Sequence, residues 1–184
     1  MKKTVIVLTA ITILFTFAGN ALPGQLIDLS TANSATYIKV PGASFAQIFK
    51  GETLSGAEVV GAPSNPLTLS PLGDLIIEPL GTVNTIVPDI NYNGPLSVIL
   101  DSDATFISFV MGHAESPISV KIDFFASDGS LVHSVDQQIY KNYNTYYFKD
   151  LGVFRGLTIY CNDDPAGLRF YNFKYENNLI ASGN

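Results

Sequence analysis

One segment alternates strictly between apolar and polar side chains, and this pattern constrains the fold more than any other. In 118–124, Ile, Val, Ile and Phe occupy the even positions, and Ser, Lys and Asp occupy the odd positions. Successive side chains of a strand point to opposite faces, so one face is buried and the other meets water. Asp128-Gly129 is typical of a tight turn, after which Leu131–Val135 resumes the chain as a second strand. The pattern predicts a hairpin over Pro117–Val135.

The rest of the chain is rich in Val, Ile, Thr, Phe and Tyr, and Gly and Pro interrupt it at short intervals. No long segment has an apolar period of 3.6 residues, so helices are not expected. Many short strands in one domain predict two packed sheets or a closed barrel, and about a dozen strands in a domain of this length favour the sheets. We therefore predict an all-β fold, a two-sheet antiparallel jelly-roll sandwich over 22–184. Further strands are expected at Thr36–Val40, Phe45–Phe49, Leu67–Leu69, Leu75–Glu78, Thr82–Val87, Leu96–Leu100, Thr105–Met111, Gln138–Lys141, Thr145–Lys149, Gly156–Cys161 and Leu168–Tyr175.

The last of these strands has an irregular pattern. Leu168 and Phe170 share one parity, whereas Phe173 and Tyr175 share the other. A regular strand cannot bury all four side chains on one face. One extra residue near 171–172 would restore the register, so we expect a β-bulge there. The alternative is a strand that is covered on both faces.

The first 21 residues have the three parts of a secretory signal. Met1-Lys2-Lys3 is basic, 4–17 is apolar and uncharged, and Ala18-Gly19-Asn20-Ala21 places small residues before a cleavage point. The apolar stretch is shorter than the roughly 20 residues that span a bilayer. We expect a signal peptide over 1–21, with no membrane span after processing.

The chain is acidic, with 10 Lys and Arg against 16 Asp and Glu and a formal charge of −6. This balance argues against nucleic acid as a partner, because phosphate backbones are bound through Lys and Arg. It also argues against adsorption to anionic lipid. Cys161 is the single cysteine, so no intrachain disulfide can form.

Tyrosines and asparagines alternate closely in 140–147. We predict carbohydrate-binding side chains at Asn142, Tyr143, Asn144 and Tyr146, since aromatic rings stack on sugar rings and amides bind hydroxyls. The alternative is cross-strand packing of a tyrosine-rich strand pair. The chain has no tryptophan, which weakens the sugar interpretation.

Two acidic clusters are candidate calcium ligands. Asp101 and Asp103 form one, and Asp163 and Asp164 form the other. Calcium takes several oxygen ligands from loops, so a structural calcium ion is one interpretation. The other is that these residues make turns through their own backbone hydrogen bonds. No cofactor is required by the sequence.

No pattern nominates a catalytic residue. Gly-x-Ser-x-Gly does not occur, and His113 and His133 are the only imidazoles. The few glutamates lack the spacing that would place two carboxyls across a sugar. We therefore predict that the protein is not an enzyme, and we keep a secreted hydrolase as a third hypothesis.

The second half of the chain resembles a jelly-roll domain of exported bacterial proteins, including proteins with PEP-CTERM sorting tails and an architecture like that of carbohydrate-binding modules. The resemblance rests on Asp101–Phe109, Ile118–Phe125, Asp128-Gly129, Leu131–Ser134 and Asp163–Phe173. No Pro-Glu-Pro tail follows residue 175. The resemblance implies the fold and an exported location more than an activity.

These patterns favour a non-catalytic binding module for carbohydrate or extracellular matrix. Its partner would be a polysaccharide or another exported protein, and its location the periplasm, the cell surface or the exterior. The alternative function is a self-assembling structural or adhesive subunit, because strand edges can pair with neighbouring molecules.

Overall fold

A computed structural model of the chain describes residues 24–55, 58–88, 94–114, 117–160 and 167–177. The strands in these ranges are, in chain order, β1 (Gln25–Leu26), β2 (Ile38–Val40), β3 (Ala43–Ala46), β4 (Ile48–Phe49), β5 (Glu52–Ser55), β6 (Glu58–Gly61), β7 (Leu69–Ser70), β8 (Leu75–Leu80), β9 (Val83–Pro88), β10 (Leu96–Gly112), β11 (Ile118–Phe125), β12 (Leu131–Ile139), β13 (Asn144–Tyr160) and β14 (Arg169–Glu176). The described ranges contain no helix, and hence none that could cross a membrane. The predicted signal peptide lies outside them.

Two long strands, β10 and β13, organise the fold. Each has 17 residues, and they pair with each other on both sides of a bend. In β10 the register shifts between Ile99 and Phe106. In β13, Asp150 and Gly152 have φ of 60° and 99°, in the left-handed region that an extended strand otherwise avoids. Both strands therefore turn out of one sheet and continue into a second.

The two bends define two antiparallel sheets. Sheet I runs in the order β2, β3, first half of β10, second half of β13, β11 and β12. Sheet II runs from the first half of β13 through the second half of β10 to β14, which then pairs with both β1 and β9, and β9 pairs with β8. Phe45 of sheet I meets Phe173 of sheet II at 5.4 Å between ring centroids. The predicted antiparallel, two-sheet, all-β sandwich is confirmed.

The bends correct one part of the sequence prediction. Residues 96–100 and 105–111 were expected to be separate strands joined by an acidic turn, but β10 is continuous through them. Asp101 accepts a hydrogen bond from the Gly42 amide (3.0 Å) and pairs with Lys39. Asp103 lies 3.5 Å from Arg155. Because neighbouring groups hold these carboxylates, the polar residues mark a bend inside a strand. The predicted strand 145–149 and residues 156–160 of the predicted strand 156–161 are likewise parts of β13, and Cys161 lies outside the described residues.

Two local predictions are confirmed. The hairpin is β11 and β12, with Phe124 opposite His133 and Gly129 at φ 83° in the turn. The bulge is in β14, where the register to β10 gains one residue between Tyr171 and Lys174. Asn172 takes up this extra residue with φ 53°. The bulge lets all four apolar side chains of the irregular segment become buried, namely Leu168, Phe170, Phe173 and Tyr175.

The outer face of sheet I is covered by a third layer, formed by β4–β7, which we call the covering layer. Its small core contains Ala46, Phe49, Leu67, Leu69 and Phe125. Gly156 of sheet I makes room for it, because a β-carbon there would lie 2.8 Å from Leu67 and 3.0 Å from Phe49. Sheet I is therefore buried on both faces at its centre.

Candidate functional site

The outer face of sheet II carries four aromatic side chains, Phe106, Tyr143, Tyr147 and Tyr171, which we call the aromatic face. Directly paired residues share one face of a sheet, so the register places these side chains together. Tyr147 of β13 is opposite Ser108, and Tyr171 of β14 is opposite Val110. Phe106 lies two residues before Ser108 on β10 and so shares its face.

The aromatic side chains form two pairs. Tyr143 and Tyr171 meet edge to face, with centroids 5.7 Å apart and planes at 67°. Phe106 and Tyr147 are 6.5 Å apart at 35°. Tyr147 is 67% exposed, the most exposed of the large apolar and aromatic side chains in the described residues. An open groove adjoins Phe106 where the two long strands bend, and Lys149, Asp150 and Val153 line it.

Gly112 positions the first pair. It follows Met111, which is opposite Asn144, so it lies beside Tyr143 at the end of the ladder. A β-carbon at Gly112 would be 2.7 Å from the Cα of Tyr143 and 2.9 Å from the carbonyl oxygen of Asn142. Only glycine allows this approach without displacement of backbone, so Gly112 holds Tyr143 close to the sheet.

Two ion pairs lie on this face. Arg169 lies 2.8 Å from Glu78, and its guanidinium donates to the Tyr143 hydroxyl at 3.5 Å. Lys174 lies 3.4 Å from Glu176. The cations of these two pairs are thus balanced by carboxylates, whereas Lys149, opposite Phe106, adds a positive charge at the other end of the face.

The hydroxyl of Tyr171 stays protonated at neutral pH. Burial raises the pKa of Tyr171, and the nearby Tyr143 raises it further. A protonated phenol both donates and accepts hydrogen bonds. The face can therefore offer apolar ring surface together with groups that bind hydroxyls.

The structure separates the four residues that the sequence nominated. Tyr143 lies on the aromatic face. Tyr146 has the opposite parity, packs against the main core, and has its pKa raised by burial. Asn142 and Asn144 are exposed at the start of β13, where the Asn144 amide donates to the Asn142 carbonyl at 3.0 Å.

Three aromatic residues of the face were not nominated: Phe106, Tyr147 and Tyr171. Tyr147 was counted in the tyrosine-rich segment, but its outward direction depends on the register of β13. One sequence signal could have identified Phe106 and Tyr171. Each is an aromatic residue at a position of opposite parity to the core residues of its own strand. Strand pairing alone brings them together.

The candidate calcium ligands divide between described and undescribed residues. Asp101 and Asp103 face Lys39, the Gly42 amide and Arg155. The bond to Lys39 and the Gly42 amide hold the pKa of Asp101 below its usual range, although burial opposes them. Asp163 and Asp164 lie outside the described residues. Where the structure describes the chain, no three acidic, histidine or cysteine side chains converge as a metal site would require.

Comparison with known proteins finds similarity in solved structures. No protein-family model matches the chain. No curated protein matches it either. The similar structures are family 29 carbohydrate-binding modules. A family 29 module is 18% identical, covers 72% of this chain and 88% of its own, and has a TM-score of 0.37. An arginine-to-alanine variant is 18% identical over 55% of this chain and 76% of its own, with the same TM-score.

A tyrosine-to-alanine variant from the same series is 17% identical and covers 78% of this chain and 91% of its own, again with a TM-score of 0.37. At this level of similarity the superpositions support no argument about ligand or activity. The functional proposal rests on the surface of this chain.

Proposed function

We propose that this protein is an exported, non-catalytic carbohydrate-binding module that holds a neutral polysaccharide on its aromatic face. One observation carries the proposal: the chain covers the outer face of sheet I and leaves four aromatic side chains on the outer face of sheet II. Tyr147 is largely exposed and the other three rings are half-buried beside it, and a contiguous patch of rings at a surface commonly marks a binding site. A sugar ring presents C–H groups to such rings and hydroxyls to the polar groups beside them.

The spacing of the pairs matches an extended chain. The Phe106–Tyr147 pair centres near position 107 of β10, and the Tyr143–Tyr171 pair centres near position 111. Four residues of an antiparallel strand span about 14 Å. Several linked sugar rings are needed to bridge this distance. We therefore expect affinity to rise with chain length until both pairs are engaged.

Isothermal titration with cellohexaose, xylohexaose and mannohexaose tests the proposal. Tyr147→Ala should lower the affinity for the best of these ligands at least tenfold, because the most exposed ring is lost. Tyr37→Ala is the matched control, since Tyr37 is also exposed (45%) but immediately precedes β2 of sheet I. Binding of none of the hexasaccharides, or equal loss in both variants, would contradict the proposal.

Self-assembly is the alternative function, and the edge of sheet I favours it. In the described part of the sheet, β12 pairs only with β11, which leaves its other edge open. Leu131 on this edge is 59% exposed. Open edges can pair with strands of other molecules. Size-exclusion chromatography with light scattering distinguishes the two functions, because a monomer at high concentration contradicts assembly.

Export and calcium belong to the same proposal and are tested separately. The N-terminal sequence of protein recovered from the periplasm, cell surface or medium should begin after Ala21. Calcium binding through 163–164 should raise the melting temperature when calcium replaces EDTA, because a ligand of the native state stabilises it. An unchanged melting temperature would contradict a structural calcium ion.

A further inference from the structure

β14 divides the free side of sheet II into two branches. At one end, Leu26 of β1 is opposite Lys174, and the Ile27 amide donates to the Phe173 carbonyl at 2.9 Å. At the other end, Phe170 is opposite Ile86 of β9. The bulge lies between these two pairings. The segment after β1 and the start of β9 therefore diverge from β14 at the bulge, like the prongs of a fork.

A pocket of about 350 Å³ lies between the prongs, and we call it the fork pocket. Asp28 and Ser30 line one side, Thr82 and Asn84 line the other, and Asn172 of the bulge lies where they meet. The Asn84 amide donates to the Leu29 carbonyl at 3.0 Å and so links the two prongs. This volume is at the lower end of small-molecule sites, which suits one sugar ring better than several.

Leu26, which lines the fork pocket, projects from the same side of sheet II as the aromatic face. The register forms a row of paired residues across four neighbouring strands, namely Tyr147, Ser108, Lys174 and Leu26. Residues in such a row project from the same face. Leu26 lines the pocket, and three strand spacings separate it from Tyr147, which is about 14 Å. A short chain that crosses the strands from Tyr147, instead of running along β10 over both aromatic pairs, would therefore reach the pocket within a few sugar units.

The polar groups of the pocket suit hydroxyls. Ser30 donates to Asp28 from its amide (2.8 Å) and its hydroxyl (2.9 Å), and these bonds lower the pKa of Asp28. Asp28 is thus an ionised acceptor. The amide of Asn84 is engaged with Leu29, which leaves its side-chain oxygen as a second acceptor. Among the described lining residues, Asp28 carries the only charge, so an anionic sugar would be repelled.

We infer that the fork pocket holds the terminal unit of a neutral oligosaccharide whose following units cross the aromatic face. The inference rests on the proposed function, because the aromatic face supplies the remaining contacts. It adds a direction to the bound oligosaccharide: the end of the sugar chain lies between the two prongs, which the hydrogen bond from Asn84 to Leu29 links. Short oligosaccharides depend on this pocket, whereas long polysaccharides retain internal contacts on the rings.

Two substitutions in the pocket test the inference. Asn172→Gly removes an exposed amide at φ 53°, a conformation that glycine adopts without strain. Asp28→Asn removes the charge and keeps the acceptor for Ser30. Asp128→Asn is the matched control, because Ser130 donates to Asp128 from its amide (2.9 Å) and hydroxyl (2.6 Å) in the same way, but in the turn of the β11–β12 hairpin. Each variant is titrated with cellotetraose and with hydroxyethyl cellulose.

We expect each pocket variant to weaken cellotetraose binding about tenfold, which corresponds to roughly 1.4 kcal/mol. Hydroxyethyl cellulose should lose less than about twofold, and Asp128→Asn should bind both ligands like the wild type. Unchanged cellotetraose binding in both pocket variants, with loss in Tyr147→Ala, would overturn the pocket and leave the aromatic face standing.

The aromatic face can also be overturned while the fork pocket stands. If neither cellulosic ligand binds, glucose is titrated while the side-chain amide signals of Asn84 and Asn172 are followed by NMR. Shifts of these signals that Asp28→Asn removes would support the pocket and contradict the aromatic face. The absence of shifts would overturn both, and shifts caused by calcium but not by glucose would identify a cation site instead.

Discussion

The two sheets share the long strands β10 and β13, yet the outer face of one sheet is covered by other parts of the chain and the outer face of the other is not. On sheet I, Ser97 and Ile99 of β10 lie beneath the covering layer, and the Ser97 hydroxyl donates to the Gln47 carbonyl at 3.1 Å. On sheet II, Phe106 of the same strand lies beside the exposed ring of Tyr147. The chain thus covers one outer face and leaves the other open. From this difference we expect sheet I to contribute stability and, on the proposed function, sheet II to bind the ligand.

The largest effect is expected where the covering layer meets sheet I. Phe49 is fully buried and meets Phe125 edge to face at 5.5 Å. Phe49→Ala should lower the free energy of unfolding by about 3–5 kcal/mol, because it removes a buried ring and leaves a cavity. Urea unfolding measures the change. A loss below about 1 kcal/mol would show that the covering layer is not part of the cooperative structure.

The next effect concerns a carboxyl that the covering layer buries. Burial, opposed by a hydrogen bond from the Phe49 amide at 2.8 Å and aided by the charge of Asp123, raises the pKa of Glu52 to about 7. The folded state thus keeps a proton that the unfolded state releases near pH 4.5. Stability from this group is therefore full below pH 4.5 and declines as the pH rises to about 7.

Glu52→Gln should remove this dependence. The variant should match the wild type near pH 4 and exceed it by about 2–3 kcal/mol above pH 7, because a pKa rise from 4.5 to about 7 corresponds to roughly 3.4 kcal/mol, which solvent screening reduces. Urea unfolding at several pH values between 4 and 8 measures the difference. Parallel curves for the two proteins would show that Glu52 is already ionised within the covering layer.

Gly112 tests how the open face is held in place. Gly112→Ala should lower the free energy of unfolding by about 1–3 kcal/mol, because the new methyl group meets backbone atoms of Tyr143 and Asn142. Oligosaccharide affinity should fall with it, since Tyr143 is displaced. Gly81→Ala is a useful comparison, because nothing lies within 4 Å of a β-carbon there, although its φ of 63° adds backbone strain. That variant should lose stability without losing affinity.

The smallest effect on stability is expected on the aromatic face itself. Tyr147→Ala should change the free energy of unfolding by no more than about 0.5 kcal/mol, because its ring is largely exposed. The same substitution should remove most of the oligosaccharide binding. If it instead destabilised the protein as Phe49→Ala does, the contrast between the two outer faces would fail.

Sequence reasoning succeeded where the determining contacts are local. The hairpin follows from the alternation in 118–124 and from Asp128-Gly129, and the bulge follows from the parity change between Phe170 and Phe173. It failed at 101–103 and 150–152, where polar residues or glycine interrupt an apolar pattern. Such residues are equally compatible with a turn and with a bend inside a strand. Contacts to Gly42 and Arg155, which are distant in sequence, decide between the two.

For the same reason, the sequence predicted only part of the candidate site. The tyrosine-rich segment directed attention to β13, and Tyr143 lies on the aromatic face. Tyr146 was expected beside it, but its parity directs it to the core. Phe106 precedes Tyr143 by 37 residues in the chain, and Tyr171 follows Tyr147 by 24 residues. The pairing of β10 with β13 and β14 brings all four rings to the same face.

By itself, the sequence determined which side chains alternate, where the hairpin turns and where the last strand must bulge, because each of these depends on neighbours along the chain. It also determined that the fold is all-β. The tertiary structure decided which outer face is covered, how the two long strands pass between the sheets, and which rings share a surface. Those outcomes depend on register and on contacts between distant segments, and an alternating pattern has the same form whether its second face meets another layer or water.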